Sequence, residues 1–365
     1  MNRMLFALLL LPSASPAMAQ EAPSRGDGVE ITPRTRESIE RGFEWLRRNQ
    51  SPASGAYGSG SAPVATTAIA GMAFLAGGHL PRRSKYGENV LKAVKFLLRL
   101  SSKKDGYINE GQARGIGGSG MHGHGYATLF LAEVYGMCMG VEGFNQDNLE
   151  EELKEKLTKA VQLICKAQCA NGGWNYEPNP SYDEGSVTIT QVQGLRAARN
   201  AGIKVEIRAI EKAVEYINKS TDNNGQTRYS LTSGGHTSFA LTAAGMSCLN
   251  FLGQYESEKI KKGLDFLFRS LPGQGGNNSN MGAWGGWYFY GNYYATLAMY
   301  QAKEDKYWKA WYPAIRDDLL KNQSSDGSWK NAESASYGPA FGTGFALQIL
   351  QIPNRYLPIY QSGKD

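Results

Sequence analysis

Lys159-Ala160-Val161-Gln162-Leu163-Ile164-Cys165-Lys166-Ala167-Gln168, followed by Cys169-Ala170-Asn171-Gly172-Gly173-Trp174, decides the fold, because its parts recur along the chain. Its opening six residues are a base, a small residue, two variable positions and a bulky apolar pair. The same phrase stands at Arg41-Gly42-Phe43-Glu44-Trp45-Leu46, Lys92-Ala93-Val94-Lys95-Phe96-Leu97, Lys212-Ala213-Val214-Glu215-Tyr216-Ile217 and Lys262-Gly263-Leu264-Asp265-Phe266-Leu267. The copies start 50 to 67 residues apart, and a degraded sixth ends on Leu319. A period of that size marks one repeated supersecondary unit.

Over residues 149–168 the apolar positions Leu153, Leu157, Val161 and Ile164 recur every three or four residues, which predicts one buried helix face with Glu and Lys opposite. Gly172-Gly173 ends the helix and lets Trp174 fold back on it. A loop rich in Gly and Pro follows, then a second helical stretch at 186–201, dominated by Ala, Gly, Thr and Gln and poor in long charges. Small residues let neighbouring helices approach closely. Each unit therefore reads as an amphipathic outer helix followed by a buried inner one, with further inner segments at 64–77, 126–137, 237–252, 293–302 and 339–350. No stretch alternates with period two for more than a few residues, so essentially no sheet is expected. Six hairpins of this kind fit an open solenoid as well as a closed ring.

Residues 1–19 read as a leader: Arg3, a short apolar run from Met4 to Leu11, then the cleavage signal Ala17-Met18-Ala19. The expectation is export, with a mature arm at 20–34, one helical domain at 35–352, a tail at 353–365 and no stable membrane insertion after cleavage. The chain has 365 residues, 41% of them hydrophobic and 20% charged, and 44 glycines that fit many turns. A net charge of +6, spread along the sequence, gives no footprint for nucleic acid. Cys138, Cys165, Cys169 and Cys248 permit two disulfides without requiring them; Cys165 and Cys169, four apart on a helix, are poorly placed to pair with each other.

In three copies the phrase runs on to a glutamine and then Gly-x-aromatic: Gln50 with Gly55-Ala56-Tyr57, Gln168 with Gly172-Gly173-Trp174, and Gln323 with Gly327-Ser328-Trp329. Asp105-Gly106-Tyr107, Gly285-Gly286-Trp287 and Asn224-Gly225 are partial copies. This resembles the QW repeat of the terpenoid cyclase and protein prenyltransferase superfamily (prenyltransferase and squalene oxidase repeats), over roughly residues 35 to 350. The resemblance implies an all-α fold, an (α/α)6 toroid whose inner helices line a central cavity, with the glutamine and tryptophan as packing elements. The superfamily's catalytic signatures are missing. There is no Asp-x-Asp-Asp acid, since the only adjacent aspartates are Asp317-Asp318 on an outer helix. Cys248 has Met246 where the zinc-binding aspartate belongs, and Cys169-Ala170-Asn171-Gly172 is no thioester motif.

In such a ring, polar residues at the starts of the inner helices surround one mouth of the cavity. The candidate catalytic residues there are His122, His124 and His236, with Asp183 and Glu184, all of which also suit helix capping and loop ordering. Glu110 lies at the same end, whereas His79 follows an inner helix and falls at the other. Candidate ligand contacts are Arg114 and the aromatics Trp284, Trp287, Tyr290, Tyr293 and Tyr337. No metal or other cofactor is implied. Three functions are compatible with this pattern: a ligand-binding or scaffold protein; a polysaccharide lyase or glycoside hydrolase at the cavity mouth; and a terpenoid cyclase-like enzyme with a non-standard acid. The partner expected is an apolar small molecule or a polysaccharide.

Overall fold

The structure is a computed structural model and describes residues 31–58, 62–110, 120–255, 257–273 and 287–361. The expected leader, Arg114 and Trp284 lie outside these residues. Outer helices α1 (Pro33–Asn49), α3 (Gly87–Leu100), α5 (Leu149–Lys166), α7 (Ile207–Ser220), α9 (Glu258–Phe268) and α11 (Asp305–Asn322) alternate with inner ones. The inner helices are α2 (Pro63–Ala76), α4 (Gly120–Cys138), α6 (Gly185–Asn200), α8 (Phe239–Phe251), α10 (Tyr288–Gln301) and α13 (Pro339–Gln351), the last preceded by a short α12 (Ala332–Tyr337). The described residues contain isolated β-bridges but no ladder. None of their helices is long and apolar enough to cross a membrane.

Each inner helix packs on the next, from α2 through α4, α6, α8 and α10 to α13, and α13 returns to α2. That last contact closes the ring and excludes the open solenoid. Two inner helices begin earlier than composition predicts, α4 at Gly120 and α10 at Tyr288. The glycines that look like loop there are helix contacts: a Cβ on Gly125 would lie 2.6 Å from Thr190 Oγ1 of α6.

The recurring turn is held the same way in every complete copy. Gln168 Nε2 donates to Gly172 O at 3.0 Å and to Ala209 O of the following outer helix at 2.9 Å. Gln50 does the same to Gly55 O and Asn89 O, both at 2.9 Å. Gln323 donates to Gly327 O and to Ser38 O of α1, again at 2.9 Å, so the sixth unit grips the first as each other complete copy grips its successor. The indoles of Trp174 and Trp329 are fully buried and donate to Ile164 O (2.7 Å) and Leu319 O (2.8 Å) of the helix they follow. Their backbone N–H groups donate to Thr188 Oγ1 (2.9 Å) and Thr343 Oγ1 (3.1 Å) on the inner helix. Each turn thus satisfies the last carbonyls of one helix while fixing two others.

All four cysteines are free thiols. Cys169 Sγ donates to Tyr182 O at 2.8 Å, and burial pushes the Cys138 thiol up to about 12. At the far end of the ring, part of the stretch read as a tail is folded in: Leu357, Ile359 and Tyr360 are buried in a 3-10 turn that packs on α6. Beside it Glu133 of α4 accepts from the Ile359 N–H, and its Oε2 has no partner. Burial pushes this carboxyl up from 4.5 to about 8. A folded-state pKa above the unfolded one means the native state holds the proton. Its stabilisation is complete below about 4.5 and is lost as pH rises through about 8. The Tm of Glu133→Gln relative to wild type should therefore climb between about pH 4.5 and about pH 8, by an amount worth up to about 5 kcal/mol. A pH-independent difference would remove Glu133 as the source.

Candidate functional site

The first turns of all six inner helices converge at one end of the ring on a cavity of about 300 Å³. Ala65, His122, Leu241, Tyr290 and Phe341, each the third residue of its helix, line it together with Ser186, the second residue of α6. Connections between helices add Tyr176, Tyr229, His236 and Trp287, and the end of α12 adds Tyr337. Tyr337 stacks on Phe341 at 4.8 Å, and Trp287, 48% exposed, leans on Tyr337 at 6.0 Å. Across the mouth His236, exposed, lies parallel to Tyr229 at 6.0 Å.

One wall is polar. His122 Nε2 lies 3.2 Å from Ser186 Oγ, whose hydroxyl lies 2.8 and 2.9 Å from the two oxygens of Glu184. Glu184 is the N-cap of α6 and also accepts from the N–H groups of Ser186 (3.1 Å) and Val187 (2.7 Å). Burial raises the Glu184 carboxyl while these donors pull it down. Burial alone holds His122 down at about 4, so the imidazole is neutral at pH 7.

Of the other candidates, His124 does not reach the cavity. Its Nδ1 accepts from Ile108 N–H (3.2 Å) and its Nε2 donates to Ala160 O (3.3 Å), so the ring joins the second turn to α5 and is spent on backbone. Asp183 also faces away, accepting from Asn171 Nδ2 (2.8 Å), Tyr216 Oη (2.8 Å), Leu231 N (2.7 Å), Thr232 N (3.0 Å) and the Thr232 hydroxyl. Against the cost of burial, these donors hold it down at about 2, as suits a loop clasp. Tyr293 is interior packing against Phe345 at 5.0 Å, while Tyr290, Trp287 and Tyr337 do line the cavity. Glu110 Oε1 receives the Val64 N–H at 3.4 Å, at the start of α2. Residue type does not single out Ser186, Tyr176 or Tyr229. Ser186 follows from the register of the inner-helix starts; the two tyrosines sit on irregular connections and carry no such signal.

No protein-family profile matches the chain, and no curated protein matches its sequence. Solved structures do match. A D-mannose isomerase superposes with a TM-score of 0.63 at 10% identity, covering 88% of this chain and 97% of its own. The alpha-1,6-mannanase of a Salegentibacter species gives 0.60 at 9% identity, covering 86% and 98%. The type II terpene cyclase MstE from Scytonema gives 0.58 at 15% identity, covering 89% and 98%. The fold is the α/α toroid. At these identities the likeness concerns the toroid's architecture, and the chemistry has to be read from the cavity itself.

That chemistry is spare. Burial holds His122 well below the ordinary imidazole value, which weakens it as a general acid near neutral pH. Two carboxylates flanking a scissile bond are needed for glycoside cleavage, and the described residues that line the cavity include none. Alkene protonation needs a carboxylic acid aimed into the toroid, and none is among the described lining residues. No group of three potential metal ligands occurs among the described residues. What the cavity offers is flat apolar area with a few neutral hydrogen-bonding groups on one side.

Proposed function

We propose that the protein works outside the cytoplasm as a binder of an uncharged, largely apolar small molecule, held at the toroid mouth without being transformed. The observation that carries this reading is the lining: aromatic rings and alanines around about 300 Å³, with the nearby carboxylates turned away. That volume is at the low end for small-molecule sites, and the described lining residues offer no carboxylate, lysine or arginine to pair with an ionic ligand. The leader-like residues 1–19 are what support export. Among the structural neighbours, the terpene cyclase holds geranylgeranyl dihydroxybenzoate and a mannanase variant holds alpha-1,6-mannotetrose. The largely apolar surface of this cavity favours the apolar class over the sugar.

Thermal shift of the purified chain tests the reading. Uncharged apolar compounds should raise Tm by several degrees, whereas carboxylates, amines and mannan oligosaccharides at equal concentration should not. Ala65→Phe, which fills the cavity from α2, should abolish the shift. Release of product from an oligosaccharide, or stabilisation by the charged compounds alone, would overturn it.

A further inference from the structure

Three of the lining residues at third helix positions have an aromatic counterpart one turn deeper in the same register. Tyr126, Tyr294 and Phe345 are the seventh residues of α4, α10 and α13, as His122, Tyr290 and Phe341 are the third. A step of four residues keeps the same helix face and descends roughly 6 Å along the helix. Of this deeper layer Tyr126 lines the cavity, whereas Tyr294 and Phe345 are fully buried.

In the ring of six inner helices α4 stands second and α10 fifth, which puts them opposite each other. The hydroxyls of Tyr126 and Tyr294 nevertheless meet at 3.3 Å, so the two side chains together bridge the toroid axis. Tyr294 gives its one hydroxyl proton to Gln193 Oε1 of α6 at 2.6 Å, and Tyr126 is therefore the donor to Tyr294. The Tyr126 ring stands edge-on to Phe345 of α13, 6.1 Å away between centroids, and Phe345 packs on Tyr293 of α10 at 5.0 Å. The bar is thus held from four of the six inner helices. Its hydroxyls are spent on protein, and the cavity meets the side of Tyr126.

We infer that Tyr126 determines specificity by length: an elongated apolar ligand enters between the rim aromatics, passes the third-residue layer and ends on the Tyr126–Tyr294 bar. This rests on the apolar-binder reading above and names the size class that reading leaves open, a short chain or compact ring system in place of a long one. Truncating Tyr126 would join the mouth cavity to the space its ring fills beside Tyr294 and Phe345. An apolar space of that kind takes up an apolar ligand.

Isothermal titration calorimetry of the purified full chain with alkan-1-ols from butan-1-ol to dodecan-1-ol tests this. In the wild type, affinity should rise about fourfold per added methylene, the value of burying one CH2, and then level off within the series. Tyr126→Ala should move that break to longer chains by about two methylenes, so that dodecan-1-ol binds the variant about tenfold or more tightly than the wild type. Tyr126→Phe loses the bond to Tyr294 but keeps the ring, and its break should coincide with that of the wild type. Tyr126→Leu shortens the bar while keeping an apolar side chain; it should shift the break in the same direction as alanine, and it carries the test if the alanine variant does not fold. Affinity that keeps rising to dodecan-1-ol in the wild type, or a break at one length in the wild type and the shortened variants alike, would overturn Tyr126 as the stop and leave the apolar-binder reading intact. Binding of none of the alcohols would overturn both.

Discussion

Trp329→Ala should cost about 4 kcal/mol of folding stability, the usual range for removing a large aromatic from a packed core. The indole is fully buried, donates to Leu319 O at 2.8 Å, and lies against Gly42, where even a Cβ would come within 2.9 Å of it. It therefore fills the space between the sixth unit and the first, and its loss opens the ring at that joint. Trp329→Phe keeps most of the volume but strands the Leu319 carbonyl, and should cost about 1–2 kcal/mol. Trp287→Ala, at a rim position 48% exposed, should change stability by less than about 0.5 kcal/mol. Urea titrations of the three variants check this ordering. A Trp329→Ala protein as stable as Trp287→Ala would mean that the sixth unit does not hold the first.

Gly172→Ala should be at least as damaging, at about 4 kcal/mol or more, from adding a single methyl. Two costs combine there. The residue has φ of +94°, a conformation L side chains rarely adopt, worth about 1–2 kcal/mol. The added Cβ would also lie 2.1 Å from the carbonyl oxygen of Lys212, a backbone atom that moves only if α7 shifts. Gly202→Ala separates the two costs, because Gly202 has φ of +81° and a Cβ there would meet nothing within 4 Å. It should lose only the conformational part. Equal midpoints in chemical denaturation for the two alanine variants would show that the approach of α7 to the turn is not the constraint.

These two sites show what was legible in the sequence. The repeated base-small-x-x-apolar phrase and the Gln with its Gly-x-Trp are contact residues of a repeated joint, and joints must recur wherever units are alike. Gly172 meets the backbone of Lys212, and Gly327 that of Arg41, so the turn of one unit rests on the first residue of the next phrase. The fold could be read because its packing is periodic. The mouth is not periodic, and there residue type misleads. His124 and Asp183 look like catalytic groups but serve the backbone, while Ser186, plain in sequence, links His122 to Glu184. Starting α4 at Tyr126 instead of Gly120 also hides the phase that turns His122 inward and His124 outward. With the helix starts known, the third-residue rule finds one lining residue on each of five inner helices.

The bonds from Gln323 to Ser38 bridge 285 positions of sequence. During synthesis the face of α1 that receives Gln323 and Trp329 emerges first and waits for nearly the whole polypeptide before its partners exist. Every other joint can form as soon as the next unit follows, so assembly proceeds around the circle in order of birth and its last event is the meeting of the oldest segment with the youngest. Until the sixth unit is made the growing ring carries one unsatisfied edge on α1 and another on its newest unit, and a single encounter retires both.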